Sequence, residues 1–170
     1  MTRQAIMLNI VLFILFIMEA VMAKALIVFG SETGNTKAGA DLIAQVLEGK
    51  GVTVEIQDVR EVNADVLSRP YDLAILGVST WGAIDEEVQQ DFESFYDGMA
   101  DIDLHGRRMA VFGSGDQGYD KFAKAVDFVE QRARKQGAEV VTTSLKYHLH
   151  PKDSAERVKA WAEKLATKLQ

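Results

Sequence analysis

The sequence predicts a doubly wound α/β fold, a three-layer sandwich in which a five-stranded parallel sheet carries helices on both faces. One observation is that short apolar runs alternate with longer stretches whose apolar residues recur at helical spacing. A second is that three of the five runs open into loops rich in glycine and polar residues. Ligands of such sheets lie beyond the carboxyl ends of the strands, so these loops predict one shared binding site.

The predicted strands are short and largely apolar, as expected for parallel strands buried on both faces. In chain order they are Ala25–Phe29, Val52–Ile56, Tyr71–Val78, Arg108–Phe112 and Glu139–Leu145. The helices are predicted from the spacing of apolar residues and from the glycines that end them. In chain order the four helices run from Lys37 to Gly49 and over Glu87–Tyr96, Phe122–Gln136 and Asp153–Leu169. Asp58–Arg69 is predicted as a short helix or loop.

The composition and the length of 170 residues indicate a chain with one globular domain. The net charge of −6 argues against nucleic-acid binding, which needs a basic surface. The chain has no cysteine, which excludes disulfides and thiol catalysis. This composition fits the reducing cytoplasm, where we expect the protein. His148 and His150 have no further ligand at metal-binding spacing, so no metal site is predicted.

Residues 1–21 form an apolar extension ahead of the domain at residues 22–170. Arg3 precedes the apolar run Ala5–Met18, which fits a secretory signal cut after Ala23. A membrane anchor is the other alternative, but it needs about 20 apolar residues, and Glu19 closes this run early. No membrane association is expected for the folded domain.

We favour a third interpretation, in which translation begins at Met22, just before the first strand. Met18-Glu19-Ala20 is encoded AUG-GAR-GCN, and a GAG codon there would spell the ribosome-binding sequence GGAGG. A domain that folds around a phosphate-bearing cofactor would also need an export route for folded proteins. Arg3 stands alone where that route requires a twin arginine.

The loop after the first strand, Gly30–Thr36, combines glycines with hydroxyl and amide side chains. Gly34 lets the backbone approach a ligand, and N–H groups at the start of the next helix lack intrahelical partners. These features predict a site for a phosphate monoester at a helix N-terminus. An ordinary N-cap is the alternative, but it needs one polar residue and not four. This loop contains neither a Walker motif nor the Gly-x-Gly-x-x-Gly spacing of a dinucleotide-binding loop.

The other two loops expose aromatic side chains, Trp81 and Tyr119, which can sandwich a flat ring. The alternative, that Trp81 only covers the core, is less favoured because Gly82 follows it and no strand or helix period places it inward. Asp116 offers an acceptor for a ring N–H. A flat polar heterocycle on a chain that ends in a phosphate monoester describes flavin mononucleotide (FMN).

Three motifs in this order resemble those of flavodoxins. Ile27–Thr36 fits the family's phosphate-loop signature. Ser79-Thr80-Trp81-Gly82 matches the loop whose tryptophan covers the inner flavin face, and Gly115-Asp116 with Tyr119 matches the loop whose tyrosine stacks on the outer face. From Met22 onward the chain is similar to the short-chain flavodoxins of sulfate-reducing bacteria, and this resemblance implies a flavodoxin-like sheet with the strand order 2-1-3-4-5.

The resemblance also implies a function: the protein transfers single electrons at low potential between redox proteins, through non-covalently bound FMN. It further implies a monomer that is an electron carrier and not an enzyme. The cofactor-binding residues expected from it are Ser31, Glu32, Thr33, Gly34, Asn35, Thr36, Ser79, Thr80, Trp81, Gly82, Ser114, Gly115, Asp116 and Tyr119. Redox partners are expected to dock at an acidic flavin edge, since Asp85–Asp103 carries eight carboxylates and no Lys or Arg. A solvated helix face is the simpler explanation of those charges. Ala83 and Ile84 stand where close relatives often carry acidic residues. This difference predicts a semiquinone/hydroquinone potential somewhat less negative than in those relatives.

Two other functions are possible on this topology. An FMN-dependent NAD(P)H or quinone reductase needs a pocket for a second planar substrate, yet the chain has no spare long loop and Tyr119 would obstruct the pocket. A phosphoacceptor signalling domain needs an aspartate at the end of the third strand, where Val78-Ser79-Thr80 stands instead. We therefore reject the signalling domain and keep the reductase as the alternative.

Gly82 generates the first prediction. In flavodoxins the glycine after the tryptophan turns its carbonyl toward the flavin N5 when the neutral semiquinone forms, and glycine flips at low cost. Gly82→Ala is therefore expected to lower the yield of blue semiquinone in a redox titration of the FMN-loaded protein. An unchanged yield would remove Gly82 from this role.

Overall fold

The computed structural model describes residues 3–81, 87–88, 90–118 and 122–169. The strands are β1 (Lys24–Phe29), β2 (Thr53–Asp58), β3 (Leu73–Gly77), β4 (Thr80–Trp81), β5 (Glu87–Val88), β6 (Arg108–Gly115), β7 (Glu139–Val140) and β8 (Leu145–His148). The α-helices are α1 (Arg3–Val21), α2 (Asn35–Gly49), α3 (Gln90–Gly98), α4 (Lys124–Lys135) and α5 (Ala155–Leu169). Short 3-10 turns occupy Val59–Glu61 and Ala64–Ser68, in the stretch predicted as a short helix or loop.

The main sheet is parallel and has the order β2-β1-β3-β6, with both β7 and β8 paired to the far side of β6. Since β7 and β8 share the position of the fifth strand, this arrangement confirms the predicted doubly wound fold and its 2-1-3-4-5 order. The carboxyl ends of β1, β3 and β6 are consequently neighbours at one edge of the sheet.

The sheet separates two apolar layers, and β1 shows how its sequence serves both. Leu26 and Val28 belong to the layer that includes α3 and α4, whereas Ala25, Ile27 and Phe29 belong to the layer that includes α2 and α5. All five side chains are 0–5% exposed. Because alternate residues of a strand face opposite sides, a strand buried on both faces needs an unbroken apolar run.

One predicted helix begins later than expected. The sequence predicts a helix over Glu87–Tyr96, but Glu87 and Val88 form β5, which pairs antiparallel with β4 as a two-stranded ribbon. Helix α3 accordingly starts at Gln90 and buries Phe92 and Phe95. The apolar spacing predicted the buried face of this helix correctly, but it carried no information about the pairing of its first residues.

The predicted fifth strand is also divided. Met109 pairs with Val140, and Phe112 pairs with Leu145, so the edge strand uses two more residues than β6 does between these pairings. In the intervening segment the carbonyl of Thr143 accepts a 2.8 Å hydrogen bond from the Trp161 indole instead of a ladder bond. This bulge at the edge of the sheet separates β7 from β8.

Residues 6–14 of helix α1 leave their large apolar side chains exposed. The large apolar residues between 6 and 14 are 46–64% exposed; they are Ile6, Met7, Leu8, Ile10, Val11, Leu12, Phe13 and Ile14. Because consecutive residues of a helix point in different directions, these exposures show that the domain buries no face of residues 6–14. In the part of the chain that the structure describes, no helix is both long enough and apolar enough to cross a membrane. The interpretations of residues 1–21 stay predictions.

Leu149, directly after β8, is in the left-handed region with φ 46°. A non-glycine residue there costs about 1–2 kcal/mol, and the Leu149 side chain is 42% exposed. We predict that Leu149→Gly unfolds at a higher urea concentration than Leu149→Ala, with a difference of about 1 kcal/mol in the free energy of unfolding. Both variants lose the leucine side chain, so their difference isolates the backbone strain. An alanine variant at least as stable as the glycine variant would contradict the assignment of backbone strain to position 149.

Candidate functional site

Three polar loops meet at the carboxyl edge of the sheet because backbone hydrogen bonds continue beyond the strand ends. The Gly30 N–H donates to the Gly77 carbonyl at 2.9 Å, and the Val78 N–H donates to the Phe112 carbonyl at 3.0 Å. These contacts join the ends of β1, β3 and β6 side by side. The predicted clustering of the three loops is thus confirmed for their described residues.

The first loop ends in a helix start that none of its described side chains caps. Gly34 occupies the N-cap position with φ 85°, and α2 continues from Asn35 without a side-chain cap. The first intrahelical bond brings the Ala38 N–H to the Gly34 carbonyl at 2.9 Å. The N–H groups ahead of Ala38 therefore lack intrahelical acceptors, which is the condition for anion binding.

Ser31 adds an orphaned donor at the same position. Its Oγ is buried and has no hydrogen-bond partner among the described residues. A buried hydroxyl without a partner costs about 1–3 kcal/mol, and a ligand oxygen that accepts from it would remove that cost. Glu32, Thr33 and Gly34 are exposed around it. The donor set therefore fits a phosphate group.

A buried hydroxyl pair ties the first loop to the third. Thr36 Oγ1 lies 3.3 Å from Ser114 Oγ, and the two residues are 1% and 4% exposed. Both were predicted as cofactor-binding residues. Their hydroxyls face each other beneath the loops and hold α2 against β6.

The second loop uses one predicted site residue for a structural contact. Thr80 Oγ1 accepts a 2.9 Å hydrogen bond from the Ala125 N–H in the first turn of α4. Ala123, at the N-cap position of α4, has no side-chain oxygen, so Thr80 caps this helix from a distant part of the chain. Ser79 is half-buried beside it. The Trp81 backbone belongs to β4, but its side chain and all of Gly82 lie outside the described residues.

The third loop is shaped by an aspartate and by a histidine to which the sequence pattern assigns no role. Asp116 Oδ1 accepts from the Gly118 N–H at 2.8 Å, which forms a tight turn after the half-buried Gly115. His148 Nδ1 accepts from the Gln117 N–H at 3.1 Å and lies 3.8 Å from Asp116 Oδ1. Only the strand pairing of β8 with β6 brings this histidine to the loop. The predicted ring-stacking residue Tyr119 lies outside the described residues.

An ionised carboxylate lies at the same edge, at the end of β2. The Arg60 guanidinium donates to both Asp58 oxygens at 2.9 and 2.7 Å, and the Arg60 N–H donates at 3.0 Å. The side-chain hydrogen bonds are the main cause that lowers the Asp58 pKa below its usual range. No group of three potential metal ligands occurs within the described ranges.

The cap on α4 generates a prediction. Thr80→Ala removes the acceptor of the Ala125 N–H and is expected to lower the free energy of unfolding of the apoprotein by about 1 kcal/mol. Thr80→Ser keeps the hydroxyl and is the matched control, with a smaller loss expected in the same urea titration. Equal losses in the two variants would show that the methyl group matters and not the hydrogen bond.

Comparison with known proteins identifies the family. The flavodoxin family pattern matches residues 27–161. The chain is 39% identical over 148 residues to a flavodoxin of Maridesulfovibrio salexigens, an alignment that covers 87% of this chain and 100% of the relative. A flavodoxin of Nitratidesulfovibrio vulgaris shows the same identity and coverage.

Solved structures agree with this result. Oxidised flavodoxin 1 of Bacillus cereus superposes with a TM-score of 0.81 at 37% identity, covering 87% of this chain and 100% of that structure. An FMN-bound flavodoxin variant from Fusobacterium nucleatum shares the fold with a TM-score of 0.71 at 15% identity, covering 88% of this chain and 98% of that one. The matched pattern, the relatives and the shared fold confirm the resemblance seen in the three loops, and the chain belongs to the flavodoxin family.

Proposed function

We propose that this protein binds FMN non-covalently and carries single electrons at low potential between redox proteins. The observation that carries the proposal is the orphaned Ser31 hydroxyl beside the uncapped N-terminus of α2. Flavodoxin relatives support an electron-transfer flavoprotein over an enzyme. The Fusobacterium protein of the same fold binds FMN.

Among the parts of FMN, the phosphate is the one for which the described residues offer most hydrogen-bond donors. A phosphate oxygen near Ser31 would accept from its hydroxyl and from N–H groups around Gly34, Asn35 and Thr36. Hydrogen bonds to an anion are roughly twice as strong as neutral ones. The same dianion would interact favourably with the positive end of the α2 dipole. The first loop would thus supply binding energy without taking part in electron transfer.

The second and third loops would hold the ring system. Their described backbone at Ser79–Thr80 and Gly115–Asp116 lies at the same edge as the phosphate loop. The stacking roles of Trp81 and Tyr119 and the carbonyl flip of Gly82 remain proposals taken from the family resemblance. The redox chemistry is supplied by FMN when it is bound; the protein positions the ring and limits access to it.

The acidic surface on α3 fits docking of basic partner proteins. The exposed carboxylates are Asp91, Glu93 and Asp97 on the helix and Asp101 and Asp103 just after it. This helix follows the β4–β5 ribbon, which contains Trp81. A one-signed surface beside a redox group raises the association rate with oppositely charged partners. We therefore propose basic redox proteins as donors and acceptors. We also propose a cytoplasmic location, with which a chain that has no cysteine is compatible.

We also propose that residues 22–170 are the functional unit. Exposure of the apolar side chains at residues 6–14 supports this boundary, because removing side chains that are not buried costs the domain little packing energy. The full chain and residues 22–170 are accordingly expected to bind FMN with the same affinity.

Flavin titration of the apoprotein tests the proposal. Quenching of flavin fluorescence is expected to report FMN binding at least about tenfold tighter than binding of riboflavin, which lacks the phosphate. Ser31→Ala is the matched variant. It removes a donor to the phosphate and is expected to weaken FMN binding about tenfold, to leave riboflavin binding unchanged, and to stabilise the apoprotein slightly by removing an orphaned hydroxyl.

The outcomes separate the candidate functions. A protein that binds neither flavin contradicts the proposal. An FMN-loaded protein that NAD(P)H alone reduces rapidly is the reductase considered as the alternative. A loaded protein that takes up one electron at a time from a chemical reductant, and is inert to NAD(P)H, supports the carrier.

A further inference from the structure

We propose that Tyr147 is a positioning residue for the phosphate loop, which it holds in the geometry that binds FMN. The inference rests on the proposed function, since it concerns the same site. Tyr147 was not among the residues expected to serve the cofactor. It lies on β8, far from the loop in sequence.

The contact is a hydrogen bond from the core to the loop backbone. Tyr147 is fully buried, at 0% exposed, and its Oη donates to the Asn35 carbonyl at 2.9 Å. Asn35 is the first residue of α2 and belongs to the phosphate loop. Its carbonyl is part of the turn whose N–H groups lack acceptors. A fixed carbonyl therefore fixes the direction in which those N–H groups point.

Gly39, one turn along α2, provides the space for this contact. A Cβ at position 39 would overlap the Tyr147 hydroxyl and would lie 3.0 Å from Tyr147 Cζ. Glycine inside a helix costs about 0.5–1 kcal/mol relative to alanine, so its presence here calls for a packing reason. The phenol is that reason, and Gly39 and Tyr147 act as a complementary pair.

The phenol is a constant donor. Burial raises the pKa of Tyr147 far above its ordinary value, so the hydroxyl keeps its proton around neutral pH. The same helical turn is also held by the Thr36–Ser114 hydroxyl pair. Two strands of the sheet, β6 and β8, therefore hold the start of α2 through one polar contact each. A phenylalanine at 147 would fill the core equally well and would not hold the loop.

The test compares two flavins in two matched variants. Tyr147→Phe removes only the hydroxyl and is expected to weaken FMN binding about three- to tenfold while riboflavin binding stays within about twofold. Tyr71→Phe is the control. It also removes a phenol hydrogen bond, here to the Glu55 carboxylate, but Tyr71 lies ahead of β3, at the opposite edge of the sheet. This control is expected to leave both affinities unchanged.

Other results would overturn the inference. If Tyr147→Phe weakens FMN and riboflavin equally, the residue is only structural, and if it weakens neither, the contact does not position the loop. Wild-type protein that fails to bind FMN would instead refute the proposed function. Should Tyr147→Phe not fold, Gly39→Ala displaces the same hydroxyl by steric overlap and is expected to give the same FMN-specific loss. Equal loss for both flavins in Gly39→Ala would count against the proposal.

Discussion

The start of α2 is the constraint on which the rest of the site depends. The N-cap residue Gly34 is in the left-handed region and no described side chain caps the helix, so its first N–H groups lack an acceptor within the helix. The buried Ser31 hydroxyl also has no hydrogen-bond partner among the described residues. The apoprotein therefore carries the cost of polar groups without acceptors at this edge, and an anion removes that cost. The phosphate can thus supply the energy that holds a ligand whose reactive part lies elsewhere.

Such a loop is useful only if it stays in place when the ligand is absent, because ordering it on binding would consume part of the affinity. The structure holds it from below. Thr36 contacts Ser114, the Asn35 carbonyl contacts Tyr147, and the loop's first N–H group, on Gly30, bonds to the end of β3. These contacts come from three different strands, so the geometry of the loop reflects the register of the whole sheet.

The main features of this architecture were predictable because their signals are local. Buried parallel strands give apolar runs such as Ala25–Phe29, and these runs identified the strands correctly. The proposed phosphate loop is continuous in sequence, so it could be predicted from the sequence alone. The β4–β5 ribbon was missed because two paired residues on each strand give no alternating pattern. The bulge between β7 and β8 was missed because it depends on pairing with the distant β6. The same limit applies to single side chains. His148 and Tyr147 give no pattern of their own, and only the pairing of β8 with β6 brings them to the loops.

Thr80 shows how far a motif can assign a role. Its place next to Trp81 predicted cofactor binding, yet its hydroxyl oxygen accepts from the first turn of α4. The two roles are compatible, because capping α4 from the second loop fixes that loop against the segment that follows the third. A hydroxyl that serves the scaffold in this way still contributes to the site, since the relative position of two loops decides whether a flat ring fits between them. Residues of a binding motif therefore divide into those that contact the ligand and those that set the distance between the ones that do.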